Sequence, residues 1–146
     1  MADIAPNREI LVQLISDLIA ARNMLIVIDS HGAVAEMHTR EMEKPELHDQ
    51  WAMLKSKDWH VHLDLRQVDE TQFVEAEDRM HDDIPKLYYV RFSDVDGNTL
   101  IRFYFPNPWL DENEKATEFQ PEKLRLFEEF RDRFVGIPGI IFAQRH

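Results

Sequence analysis

The sequence predicts an α+β fold, a mostly antiparallel β-sheet with an N-terminal helix and a C-terminal helix packed on it. Three observations carry that reading. One amphipathic stretch opens the chain, Pro6–Arg22, and a second nearly closes it, Pro121–Val135. Between them the apolar residues run mostly at period two or in short β-branched and aromatic runs. The strongest turn signal, Asp94-Val95-Asp96-Gly97-Asn98, joins two such runs as a hairpin. At 146 residues the chain is sized for one domain, expected to span residues 1–146, and no repeat or low-complexity linker divides it.

Taken in order, Ile10, Leu11, Leu14, Ile15, Leu18 and Ile19 form a one-sided helical stripe, with Pro6 suited to the first turn and Asn23 to the end. Met24–Ile28 is a strand, Asp29-Ser30-His31-Gly32 a turn, and Ala33–Thr39 a second strand. Glu41–Lys57 stays ambiguous. Pro45 can start a helix there, and Leu47, Trp51 and Leu54 are spaced for one helical face. From Trp59 the period is two: Trp59, Val61, Leu63 and Leu65 point one way, and His60, His62 and Asp64 the other. Thr71–Ala76 is a shorter strand around Phe73 and Val74.

Lys86–Ser93 and Thr99–Pro106 are the aromatic-rich arms of the hairpin, where Gly97 supplies a positive φ. Pro106-Asn107-Pro108 stops the second arm. Asp111–Glu118 is a polar surface excursion. In the last helix Leu124, Phe127, Phe130 (or Arg131) and Phe134 mark the buried side, and Gly136 sits where a C′ glycine belongs. Gly139–Ala143 is apolar enough for an edge strand.

Composition removes several functions. Cysteine is absent, which excludes disulfides, thiolate metal sites, iron–sulfur clusters and cysteine nucleophiles. Lys and Arg total 17 against 28 Asp and Glu, a net charge of −11, which repels nucleic acid and anionic membrane. No apolar run approaches the roughly 18 residues of a spanning helix. Met1–Arg8 lacks the basic-then-apolar pattern of a secretory leader. There is no Gly-x-Ser-x-Gly, phosphate loop or dinucleotide-binding glycine pattern. Metal or cofactor chemistry must therefore rest on His, Tyr, carboxylates or Arg.

His60-Val61-His62 is the most informative motif. On a strand the two imidazoles share a face, about 6.5–7 Å apart. They suit a metal completed by a third ligand (Glu70, Glu75, His81 or His38), or one of them suits haem iron. The ordinary alternative is the wet face of a half-buried strand. A cupin-type site would need glycine-rich turns, and the chain has only four glycines. The Asp-x-Asp-Gly-Asn turn is similar to a hairpin of vicinal oxygen chelate proteins, but Leu100-Ile101-Arg102-Phe103 after it holds no metal-binding glutamate. EF-hand spacing fails too, since position twelve from Asp94 is Phe105. Arg91 and Arg102 lie inside apolar and aromatic strands, where a guanidinium needs a carboxylate or phosphate partner if its face is covered. That partner is one of the chain's own acids or the carboxylate of a ligand.

Trp59-His60-Val61-His62-Leu63, the strands Leu87–Phe92 and Ile101–Phe105, and the acidic helix Glu122–Arg133 together resemble the haem-utilisation carrier family (HutX/ChuX-like, related to the haem-trafficking HemS group). The resemblance covers roughly Trp59–Val135. It implies a soluble cytoplasmic protein, often a homodimer with an extended antiparallel sheet, in a family where some members bind haem and pass it on. The positions it puts at stake are His60 and His62. Haem needs a broad apolar and aromatic surface, an axial His or Tyr, and cations for its propionates. The expected set is His60 or His62 as axial ligand, Tyr88, Tyr89 and Tyr104 as alternates, Trp59 and Phe103 for packing, and Arg91 and Arg102 for propionates. Alternation puts Arg102 and Tyr104 on one face and Phe103 on the other, so these cannot all line one pocket. The expected function is haem carriage rather than catalysis. The alternatives are a metal-dependent enzyme using the His pair, and a dimeric binding module of the same fold without cofactor.

Overall fold

Helix α1, Arg8–Ala20, forms where Leu11, Leu14, Ile15, Leu18 and Ile19 fall on one side and bury together. The computed structural model describes residues 7–78 and 84–145. Pro6, His81 and the rest of 1–6 and 79–83 lie outside the described residues. Asn7 caps the helix, its side-chain oxygen accepting from the Glu9 N–H at 2.8 Å. The helix stops before Asn23, because Arg22 takes the left-handed conformation at φ 63. That position costs a non-glycine residue roughly 1–2 kcal/mol.

The strands are β1 (Leu25–Ser30), β2 (Ala33–His38), β3 (Glu46–His48), β4 (Trp51–Lys55), β5 (His60–Asp64), β6 (Glu70–Glu77), β7 (Lys86–Ser93), β8 (Thr99–Tyr104) and β9 (Ile140–Arg145); α2 is Pro121–Phe134. A six-stranded sheet has the order β2-β1-β8-β7-β6-β9, and a three-stranded sheet the order β3-β4-β5. Every pairing is antiparallel except β6 with β9. The hairpin of β7 and β8 forms as its turn predicts, with Gly97 at φ 84.

The helical option for Glu41–Lys57 does not occur. The segment is a hairpin that turns at Asp49, φ 52. Period two decides it: Ala52 and Leu54 are buried, whereas Trp51 is exposed. Leu47 pairs with Ala52, so Leu47 and Trp51 lie on opposite sheet faces and share no helical stripe. The period-two run from Trp59 is shorter than expected. Leu65 already belongs to a 3-10 turn, Leu65–Gln67, that leads into β6.

One face of the large sheet, its inner face, carries Ile26, Phe73, Tyr88, Val90, Phe92, Ile101 and Phe103, all buried. Helix α2 seats Phe127 there, its ring 5.0 Å from Tyr88 and 6.0 Å from Phe73. Leu124, Phe130 and Phe134 complete its apolar side. An ion pair from Arg133 to Asp17 ties α2 to α1 on the same side. Ala52, Leu54 and Leu63 bring the small sheet into that core. The opposite, outer face of the large sheet is the one the helices leave alone.

Candidate functional site

Register assembles the outer face. On β7 and β8, Tyr89 stands opposite Tyr104 and Arg91 opposite Arg102. On the flanking strands Val27 stands opposite Arg102, Gln72 opposite Arg91, and Val74 opposite Tyr89. Cross-strand partners share a face, so these side chains form one patch. The Tyr89 and Tyr104 rings lie 4.8 Å apart, and the Arg102 guanidinium carbon sits 5.8 Å from the Tyr89 ring centre.

Two arginines that look alike in sequence differ here. Arg102 Nη1 donates to Asp29 Oδ2 at 3.0 Å. It thus meets one of the chain's own acids, although its Nε is buried with no acceptor among the described residues. Arg91 is only 7% exposed and pairs with no carboxylate there. Its Nε donates to Thr99 Oγ1 at 2.6 Å, its Nη1 to Gln72 Oε1 at 3.2 Å, and its Nη2 to the Gly97 carbonyl. Burial, and then the charges of Arg145 and Arg102, pull its pKa below the usual arginine range. The guanidinium nevertheless stays protonated, so the patch holds buried positive charge met by neutral acceptors. Burial also pushes the Tyr104 phenol up.

Other expected site residues lie elsewhere. Tyr88 points to the inner face and packs under α2, where burial and then Glu75 push its phenol up to about 12. Phe103 is fully buried on that same face. Trp59 packs partly buried against the core. His60 and His62 do share a face, as period two predicts, with rings 5.0 Å apart and 20° from parallel. That face is the exposed outer side of the small sheet.

His62 rims a groove of about 210 Å³ with Ile28, Val61, Leu63 and Ile101. Ile28 and Ile101 belong to the inner side of the large sheet. The histidine pair thus stands on the small sheet, with His62 towards the inner side of the large sheet, whereas the arginine–tyrosine patch is on the outer face of the large sheet. Of the expected third metal ligands, Glu70 accepts from Gln72 Nε2 on the outer face, and Glu75 is taken by Lys86 and Gln144. Among the described residues no three His, Asp or Glu side chains group as a metal site.

A groove of about 910 Å³ runs between α1 and the segment of Met42, Lys44 and Leu47. Among the described residues its lining includes no imidazole or phenol. Four residues of the patch escape sequence reasoning: Gln72, Asp29, Thr99 and Arg145. The last donates from Nη2 to Gln72 Oε1 at 3.1 Å. Strand order and register, which single-strand alternation does not contain, bring them in.

No helix among the described residues is long and apolar enough to cross a membrane. No curated protein matches the chain in sequence. Solved structures share its fold. A protein from Agrobacterium tumefaciens superposes with a TM-score of 0.67 at 17% identity, over 90% of this chain and 70% of its own. The haem-binding protein ChuX superposes at 0.62 with 10% identity, over 83% and 70% of the two chains. Holo-PhuS, a haem-binding protein from Pseudomonas aeruginosa, superposes at 0.61 with 13% identity, over 86% of this chain and 33% of that one. A family model consistent with the same group matches residues 12–139. The chain belongs to the haem-utilisation carrier family, the HutX/ChuX-like group related to the HemS haem-trafficking proteins.

Proposed function

We propose that this protein is a cytoplasmic haem carrier and that haem lies on the outer face of its large sheet. The observation that carries the reading is Arg91: a buried cation without a carboxylate among the described residues, set beside Arg102 and the ring pair Tyr89–Tyr104. Haem requires an aromatic platform, cations for its propionates and an axial oxygen or nitrogen. The patch offers the first two directly, and the half-buried Tyr104 offers a phenol oxygen. The unpartnered Nε of Arg102 fits the same group, because a ligand carboxylate would give it an acceptor. When bound, haem would supply an iron centre. Tyr104 would hold it through the phenol oxygen, Arg91 and Arg102 would hold its carboxylates, and Tyr89 packs beneath Arg102.

The face is a surface rather than a closed cavity, and that suits carriage, since a cargo held on one side can be passed to a second protein. In keeping with the family, the reading includes a homodimer. Among the described residues both edges of the large sheet are unpaired, with Val34 on β2 62% exposed and Ile141 on β9 42% exposed. Light scattering should give twice the chain mass; a monomer at working concentration would contradict the dimer and leave the haem site untouched.

A second reading puts the axial ligand at His60 or His62. The stacked pair favours it. Its groove of about 210 Å³ is smaller than the roughly 300–1,000 Å³ of ordinary ligand pockets. A metal-dependent enzyme on that pair lacks a third ligand among the described residues. The deciding experiment is a haemin titration of the purified chain, followed at the Soret band. A shifted band saturating at one haem per chain is expected, with an altered spectrum in Tyr104→Phe. Absence of any shift would refute haem carriage.

A further inference from the structure

Gln72 sits at the centre of the patch. Its side-chain oxygen accepts from Arg91 Nη1 at 3.2 Å and from Arg145 Nη2 at 3.1 Å. Its amide nitrogen donates to Glu70 Oε1 at 2.6 Å, which fixes the amide so that the oxygen faces the two guanidiniums. The three side chains come from three adjacent strands: Arg91 on β7, Gln72 on β6 and Arg145 on β9. Two like charges are thus held side by side on one neutral atom.

Such an arrangement is costly by itself. A guanidinium at a covered site ordinarily pairs with a carboxylate, in a fork-to-fork geometry that satisfies both. Arg91 is at such a site and Arg145 is exposed above it; neither pairs with a carboxylate among the described residues, and the nearby acids are engaged one step away. Glu70 is turned to the Gln72 amide, and Asp29 to Arg102. A glutamate at position 72 would have cancelled one of the two charges with the same side-chain length. Glutamine leaves both guanidiniums on a neutral acceptor, with the Glu70 carboxylate one step away beyond its amide nitrogen. Burial lowers the pKa of Arg91 first, and the charges of Arg145 and Arg102 lower it further, while the Glu70 carboxylate acts in the opposite direction.

We propose that Gln72 holds Arg91 and Arg145 as an oxyanion clamp whose missing counter-charge is a carboxylate of the bound ligand. The inference rests on the haem reading for the identity of that ligand, where the carboxylate is a propionate. The clamp itself requires only an oxyanion, so a free phosphate or carboxylate is the other source. Arg145 is then a binding residue contributed by the edge strand, and Gln72 a positioning residue.

The test uses the full chain in three forms: wild type, Gln72→Glu and Arg145→Gln. Each is titrated with haemin and with haem dimethyl ester, whose propionates are blocked. Gln72→Glu fills the clamp with an internal carboxylate and should weaken haemin at least about tenfold, the scale of one charge-assisted hydrogen bond. Arg145→Gln removes one arm from an exposed edge strand, where folding is not at risk, and should also weaken haemin. The ester should bind all three forms equally. Haemin bound as tightly by Gln72→Glu and Arg145→Gln as by wild type overturns the clamp. If wild type binds no haemin, the haem reading fails on its own, and inorganic phosphate then decides the clamp. Phosphate raising the thermal midpoint of wild type but not of Gln72→Glu upholds it; an equal response in both overturns it.

Discussion

Arg91 and Arg102 occupy equivalent places in two neighbouring strands, yet their surroundings separate them. Arg102 has Asp29 at 3.0 Å; Arg91 has a hydroxyl, an amide oxygen and a backbone carbonyl. Burial gives the second arrangement its meaning, because an unpaired charge away from water is the costlier one. The three tyrosines divide in the same way. Tyr88 is pushed up to about 12 by its place under α2. Its folded value lies above the ordinary value near 10, so the native state keeps the proton after the unfolded chain has lost it. The stability this contributes is complete below pH 10 and is lost as pH rises towards 12. In a spectrophotometric titration of the folded chain, the last phenol should ionise near pH 12, and Tyr88→Phe should remove that step. Tyr104 is also raised. If its oxygen ligates ferric iron, binding must release that proton, and haemin affinity should rise as pH is raised from 6 to 8. A flat profile would count against Tyr104 as the ligand.

At the scale of elements, α2 and the small sheet make opposite demands. Helix α2 depends on Phe127, which is buried against Phe73, Tyr88 and Phe105. Phe127→Ala should lower stability by about 3–5 kcal/mol in chemical denaturation, as large-to-small core changes do. A loss under 1 kcal/mol would mean that the helix is not anchored there. The exposed face of the small sheet should be indifferent. His60→Ala with His62→Ala should stay within roughly 0.5 kcal/mol of wild type, as surface substitutions do. These elements also mark how far the sequence was legible. Both helices, the β7–β8 hairpin and the faces of His60, His62 and Asp64 follow from periodicity and turn chemistry alone. The β3–β4 hairpin did not, because three apolar residues at 47, 51 and 54 fit a helical spacing. Only pairing, Leu47 to Ala52 across the turn at Asp49, separates their faces.

For the whole molecule, the decisive fact is which side of the large sheet a residue occupies. Alternation correctly parted Phe103 from Arg102 and Tyr104; Arg91 is a candidate because it is a cation inside an aromatic strand, and Tyr89 because haem needs an axial His or Tyr. It carried no information on strand order. Neither the union of Tyr89, Tyr104, Arg91 and Arg102 nor the placement of His60 and His62 on a separate sheet is readable before strand order and register are known. Gln72 and Arg145 were invisible for the same reason, since β6 and β9 are far apart in sequence and adjacent in the sheet. The fold shared with ChuX and PhuS supports the architecture, at identities of 10% and 13%. The location of the ligand rests on the patch. It is tested most directly by a crossed haemin titration of two double variants, Arg91→Gln/Tyr104→Phe and His60→Ala/His62→Ala, each followed at the Soret band. The outer-face variant should lose affinity at least about tenfold, the effect of removing one charge-assisted contact, while the histidine variant binds like wild type. The reverse pattern would contradict the account and move the site to the small sheet.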